Sequence, residues 1–94
     1  MGNMLDRKFF ESHMEAEFRV DGGPVALKLV ECKALKSIPG EPREPFSLLF
    51  QGPAAPMLEQ KIYALENEQA GKIEIFLVPI GRDASGLTYQ AVFN

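Results

Sequence analysis

The sequence predicts a mainly β domain, with about six antiparallel strands in a curled sheet or small barrel and one short N-terminal helix. Apolar and polar residues alternate over short runs, and turn residues separate these runs at intervals of roughly 10–15 residues. Only the opening segment has a helical spacing of apolar residues. Because 94 residues have room for one hydrophobic core, residues 1–94 are expected to form a single domain.

The opening segment predicts a helix over about residues 4–14. Leu5, Phe9, Phe10 and Met14 fall on one stripe of such a helix. A helix this short is marginal in isolation, so its apolar stripe has to pack on the rest of the domain. We expect it to close one end of the barrel or to cover one face of the sheet.

The next two segments have the period of two that is typical of strands. Residues 15–20 alternate apolar and charged side chains, which indicates a half-buried strand. In residues 25–35 the apolar side chains first occupy the odd-numbered positions and then the even-numbered ones, and the change falls at Leu29–Val30. One inserted residue reverses such an alternation, so a β-bulge or sharp bend is predicted there.

The remaining strands are predicted at about residues 45–51, 60–66, 72–80 and 87–93. Gly, Pro, Asp and Asn are frequent in the intervening segments and favour turns and loops. In the turn at 81–86, Asp83 is expected to accept backbone N–H groups and Gly86 to adopt a positive φ.

The strand at 72–80 is apolar on both of its faces. One alternating set can fill the core, but Phe76, Val78 and Ile80 then point away from it, as do Leu49 and Val92 on other strands. Leaving several such side chains in water forfeits a few kcal/mol at about 25 cal/mol per Å2. We therefore expect this second face to be covered by the N-terminal helix or by another molecule.

Composition and charge favour some classes of protein over others. The net charge is −3, and the ten basic residues are scattered among thirteen acidic ones, which argues against nucleic-acid binding. A single cysteine excludes an internal disulfide or a cysteine-based zinc cluster, and favours a reducing cytoplasm. No apolar run has the length of a signal peptide or of a membrane span, so a cytoplasmic protein without membrane contact is expected.

The residue types needed for catalysis are scarce. His13 is the one histidine and Cys32 the one cysteine, and no spacing brings them together, so we expect neither a catalytic group nor a metal or cofactor. Cys32 is interpreted as a small core residue, and an enzyme that uses it is the least favoured hypothesis. Arg82 and Asp83 lie in a turn, where Arg82 is the best candidate for a partner contact because a guanidinium can bind a carboxylate bidentately.

Residues 49–53, Leu-Phe-Gln-Gly-Pro, resemble the cleavage site of a rhinoviral processing protease. If residues 45–51 form a buried strand, that protease should fail to cut the native protein.

Four motifs of the second half resemble an uncharacterised bacterial family of single domains. They are PFSLLFQGP (45–53), Gln60 with Tyr63, FLVPIGRD (76–83) and YQAVFN (89–94). The resemblance carries no assigned activity, but it implies accessory work in the assembly of phage-tail-collar-like fibre proteins. Glu66-Asn67 stands where the family often has a histidine-bearing turn, so a histidine role is not transferred.

Two functions remain open from the sequence. The favoured one is a non-catalytic protein-binding or assembly module, with a protein partner or a second copy on the outer face or at a sheet edge. Its candidate partner-binding residues are Leu49, Phe76, Val78, Ile80, Arg82, Asp83 and Val92. The alternative is a small-ligand-binding barrel in which Tyr63, Tyr89 and Arg82 make the polar contacts.

Overall fold

Six antiparallel strands close into a barrel in the computed structural model of this chain, which describes residues 7–21, 23–35 and 45–93. A short helix, α1, spans Arg7–Glu11 and precedes the strands. The strands are β1 Glu17–Val20, β2 Ala26–Ala34, β3 Phe46–Gly52, β4 Lys61–Asn67, β5 Gly71–Asp83 and β6 Gly86–Phe93. The predicted fold class is confirmed, and the sheet is a closed ring.

The strand order around the barrel is β1-β2-β3-β6-β5-β4, with β4 pairing back onto β1. β1, β2 and β3 form a meander, and β4 and β5 form a hairpin. β6 pairs with both β3 and β5 and thereby joins these two parts. Because β6 and β5 lie between β3 and β4 in the ring, the connection at 53–60 has to pass over one end of the barrel.

Most predicted strand bounds lie within one residue of the structure, and three elements differ by more. β1 begins at Glu17 rather than at residue 15, because Glu15 has a φ of 70° and still belongs to the turn after the helix. The helix ends at Glu11, because the chain then makes a turn in which His13 N–H donates to the Phe10 carbonyl. β5 continues to Asp83, so the turn predicted at 81–86 is only the tip of a hairpin. The predicted helix start and the segment 36–44, which separates the second and third predicted strands, lie outside the described residues.

The structure contains two irregularities in strand pairing. The register between β2 and β3 shifts between Leu29 and Glu31, which confirms the predicted bulge. A second shift, between Pro79 and Gly81 where β5 pairs with β6, was not predicted.

Large apolar side chains fill the barrel interior. Phe18 and Phe50 pack edge to face with ring centroids 6.0 Å apart. The fully buried side chains of largest volume are Tyr89, Phe10, Phe18, Phe50, Leu27, Leu29, Leu48, Leu65 and Leu77. Helix α1 closes one end of this core, where Phe10 contacts Phe46 and Phe93 at centroid distances of 5.9 and 5.5 Å.

The connection at 53–60 closes the other end. The Tyr89 hydroxyl accepts the Leu58 backbone N–H at 3.0 Å, and the Tyr63 hydroxyl donates to the Glu59 carbonyl at 2.7 Å. Leu58 packs against the core cluster. Both tyrosines are buried, so their hydroxyls need partners, and the backbone of the connection supplies them.

The ring closes through a short seam between β1 and β4. Its register pairs are Arg19 with Glu66 and Val20 with Leu65. Asp21 extends the seam by one step, because its N–H donates to the Ala64 carbonyl at 2.7 Å and its Oδ1 accepts the Ala64 N–H at 2.9 Å. The side chain of Asp21 thus replaces a backbone acceptor at the point where the chain turns away.

Candidate functional site

A group of apolar side chains lies on one outer face of the barrel and forms what we call the outer apolar surface. Its members come from β3, β4, β5 and β6, and four of them are about half exposed or more: Ile62 at 61%, Phe76 at 48%, Ile80 at 51% and Val92 at 51%. Leu49 and Val78, which are partly buried, complete the surface. Exposed apolar side chains that adjoin one another mark interaction sites more often than scattered ones do.

The strand pleat explains why these residues point outward. Side chains alternate between the two faces of a strand. On β5, Ile73, Ile75 and Leu77 point into the core and are buried. Phe76 and Val78 therefore project from the outer face. Ile80 lies at the second register shift and is exposed there. The same alternation places Leu49, Ile62 and Val92 outside the barrel.

The sheet register brings these side chains together. Ile62 is the direct cross-strand partner of Phe76. Val78 is opposite Gln90, and Gln90 is opposite Leu49 on its other side. Val92, two residues beyond Gln90, projects from the same face. The surface therefore crosses four neighbouring strands.

Helix α1 does not cover the outer apolar surface. Its buried residue, Phe10, is directed into the end of the barrel, and the aromatic rings it contacts are Phe9, Phe46 and Phe93. Of the predicted helix stripe, Met14 is exposed, while Leu5 lies outside the described residues. The helix was one of the two expected covers for this surface, and it leaves Phe76, Ile80 and Val92 about half exposed.

Five of the predicted partner-binding residues, Leu49, Phe76, Val78, Ile80 and Val92, belong to this surface. Ile62 was missed, although it lies in a predicted strand whose other face carries Tyr63 and Leu65. The signal that could have found it was the same as for Phe76: an apolar residue on the second face of a strand. Pairing of Ile62 with Phe76 depends on the β4–β5 register, which the sequence pattern did not provide.

Arg82 and Asp83 lie at the tip of the β5–β6 hairpin, at the end of β5. The Asp83 Oδ1 accepts the Ser85 N–H at 2.8 Å, as expected for an Asx turn, and Gly86 has a φ of 127°. Arg82 is exposed and is the cross-strand partner of Leu87. Asp83 therefore has a structural role in the turn, whereas Arg82 is accessible to a partner.

The cysteine and the histidine contact different groups. The half-buried Cys32 thiol lies 3.8 Å from the Arg7 carbonyl, and the His13 Nδ1 lies 2.9 Å from the Phe9 carbonyl. Burial and, after it, the Glu11 carboxylate raise the pKa of the Cys32 thiol, and Arg7 opposes them. A raised pKa leaves less thiolate, which is the reactive form.

A charged cleft of about 550 Å3 lies at the β1–β4 seam, outside the barrel. Its charged lining residues are Glu17, Arg19, Glu66, Glu68 and Lys72. These residues carry charges of both signs, so the cleft has no strong preference for an anionic or a cationic ligand. Within the described ranges, no group of three or more His, Cys, Asp or Glu side chains is arranged to hold a metal ion.

The barrel interior does not resemble a ligand pocket. Phe10 and Leu58 close its two ends, and the hydroxyls of Tyr63 and Tyr89 are both hydrogen-bonded to the backbone of the connection at 53–60. Arg82 lies outside, at the hairpin tip. The geometry therefore gives no support to the ligand-binding alternative, whose polar contacts were to come from these three residues.

The fold and the site together define a small closed antiparallel β-barrel domain with an apolar outer sheet face. The chain belongs to the family described as a domain of unknown function, DUF6916, whose profile matches residues 5–93. Membership of an uncharacterised single-domain family is thus confirmed. The family match covers more of the chain than the motifs did, since those lie only in the second half. Neither a curated protein nor a solved structure matches the chain. Among the described residues, no helix is both long and apolar enough to cross a membrane.

Proposed function

We propose that this domain is a non-catalytic protein-binding module that docks another polypeptide on its outer apolar surface. The observation that carries the proposal is the exposure of Ile62, Phe76, Ile80 and Val92 on one face of neighbouring strands, with Ile62 directly opposite Phe76. Burying such side chains contributes about 1.5–3 kcal/mol each when the burial is complete. A partner that covers the surface therefore has a substantial driving force available.

The surroundings of the surface fit the anatomy of a protein interface, which has an apolar centre and a polar rim. Phe76 supplies an aromatic anchor near the centre, and Gln90 on β6 lies opposite Val78. The exposed Glu74 borders the surface along β5, and Arg82 borders it beyond Ile80. A rim of this kind gives orientation and specificity, whereas the aromatic anchor supplies most of the affinity.

The resemblance of the motifs supports a more specific form of the proposal. In that form the domain is an accessory factor in the assembly or anchoring of a phage-tail-collar-like fibre protein. Such a role needs a binding face but no catalytic group, which agrees with the surface described above.

The test is the double variant Phe76→Ser, Val92→Thr, compared with the wild type in co-purification from a bacterial source and in size-exclusion chromatography with light scattering. The expected result is that the wild type retains a defined partner or forms a defined oligomer, and that the double variant loses it. Loss of a central aromatic anchor typically weakens binding by about 2 kcal/mol or more, which is more than tenfold.

The matched control is Met14→Ser, which removes an exposed apolar side chain that lies away from the outer apolar surface. We expect it to behave as the wild type. Equal association of all three proteins, or a strictly monomeric wild type without any partner, would contradict the proposal.

A further inference from the structure

Within the part of the chain that the structure describes, the edge of β4 that faces β1 has no strand opposite it at residues 60–62. On the side that faces β1, both backbone groups of Ala64 are bonded to Asp21. Residues two positions apart in a strand direct their N–H and C=O groups to the same side. The N–H and C=O of Ile62 therefore also face the β1 side.

β1 does not reach Ile62. The register pairs between β1 and β4 end at Val20 and Leu65, and the Asp21 contacts add one further step. The chain then turns back, since the Gly23 N–H donates to the Val20 carbonyl at 2.8 Å. In the described ranges no backbone group is bonded to Ile62 on this side, and Gln60, Lys61 and Ile62 are all exposed.

This open edge adjoins the outer apolar surface. The side chain of Ile62 is 61% exposed and is opposite Phe76 on the neighbouring strand. A strand added beside Ile62 would place every second side chain on the face that Ile62 and Phe76 share. Main-chain bonds at the edge and apolar contacts on that face would then act on the same extended segment.

We propose that residues 60–62 of β4 accept an extended segment of the partner as an additional strand, with an apolar side chain of that segment packed against Ile62. This inference rests on the proposed function and specifies the partner's chemistry. The partner presents a segment with free backbone groups and alternating apolar residues, rather than a helix or a preformed flat surface.

A charge argument favours a different polypeptide over a second copy of this chain. If two copies paired antiparallel through residues 60–62, Lys61 of each would be directly opposite Lys61 of the other. Lys61 is exposed, and its Nζ lies 5.2 Å from the Tyr63 ring centroid. Like charges directly opposite each other in a sheet are destabilising, so self-pairing at this edge is disfavoured.

The test uses peptides selected from a displayed library of random sequences for binding to the full chain. Ile62→Pro removes the edge N–H, and proline is tolerated on edge strands. That N–H faces away from β5, so the β4–β5 ladder is preserved. The matched control Ile62→Val keeps both the N–H and a β-branched side chain. We expect Ile62→Pro to weaken binding at least about tenfold and Ile62→Val to change it little.

Hydrogen exchange in the wild type gives an independent measurement that does not depend on the proline variant folding. The Ile62 amide should exchange much faster than that of Tyr63, which faces β5, and it should slow at least about tenfold when a selected peptide is bound. An Ile62 amide that is protected in the free chain, or unaffected by the peptide, would overturn the inference.

The variants separate this inference from the proposed function. Binding that is lost in Phe76→Ser but kept in Ile62→Pro overturns strand addition and leaves docking on the outer apolar surface intact. Binding that is unaffected by either variant overturns both. A dimer of the wild type that Ile62→Pro dissociates would show that the occupant of the edge is a second copy, contrary to the proposal.

Discussion

Asp21 shows how one residue can connect two distant strands. It adopts a φ of 51°, in the left-handed region, and bonds to Ala64 through both its N–H and its carboxylate. Asp and Asn tolerate this region better than other residues with a side chain, because their short polar groups bond locally. The conformation that ends β1 is thus the one that lets Asp21 close the seam.

Two substitutions of Asp21 test this role. Asp21→Ala removes the acceptor for the Ala64 N–H and keeps the unfavourable φ, so it should lower the free energy of unfolding by about 1–2 kcal/mol. Asp21→Asn keeps an oxygen acceptor and the tolerance of left-handed φ, so its loss should be below about 0.5 kcal/mol. Urea unfolding measures both, and equal losses would show that the carboxylate bond does not stabilise the seam.

The sequence predicted the turn after β1 but not this bond. Asp21 and the glycines that follow it are local turn signals. Ala64, in contrast, is 43 residues away along the chain and has no feature that marks it as a partner. In the same way, second-face apolar residues were recognisable one by one, while their assembly into one surface depended on the register of four strands.

At the scale of elements, the two register shifts differ in how visible they are in sequence. The shift after Leu29 lies in a strand with a clear apolar–polar alternation, so the reversal of that alternation is visible in the sequence. The shift after Pro79 lies in a strand that is apolar on both faces, where a reversal changes nothing in the pattern. Helix α1 was also predicted, but its docking at the barrel end depends on Phe46 and Phe93, which are remote in sequence.

The two glycines of the β5–β6 hairpin should respond very differently to substitution. A Cβ at Gly86 would collide with the Gly52 carbonyl oxygen, and its φ of 127° is unfavourable for any side chain. A Cβ at Gly81 would meet nothing within 4 Å. We expect Gly86→Ala to cost about 3 kcal/mol or more and Gly81→Ala less than about 0.5 kcal/mol.

Chemical denaturation of both glycine variants beside the wild type measures this difference. If Gly86→Ala lowered the free energy of unfolding only slightly, β6 could move away from Gly52 at little cost. That result would contradict the tight contact between β6 and β3.

At the scale of the whole molecule, closure of the sheet determines access to the chain. The bond between Gln51 and Gly52 lies in β3, which pairs with β2 on one side and β6 on the other. A protease binds its substrate as an extended segment, so cleavage there requires the barrel to open.

The rhinoviral processing protease should therefore leave the native chain intact and cut it after denaturation. Gel electrophoresis against time, with and without urea at a concentration the protease tolerates, measures the difference. A control protein with the same five residues in an exposed linker should be cut under both conditions. Rapid cleavage of the folded chain would show that β3 separates readily from its neighbours.

The position of β6 between β3 and β5 has a consequence for biosynthesis. The first five strands can pair into one open sheet in the order β3-β2-β1-β4-β5, because β1 pairs with β4. β6, Gly86–Phe93, then closes the ring by pairing with β3 and β5. Until then, the outer edges of β3 and β5 have no partner strand, and a premature stop before β6 would leave an open sheet with two exposed edges, prone to aggregation or degradation.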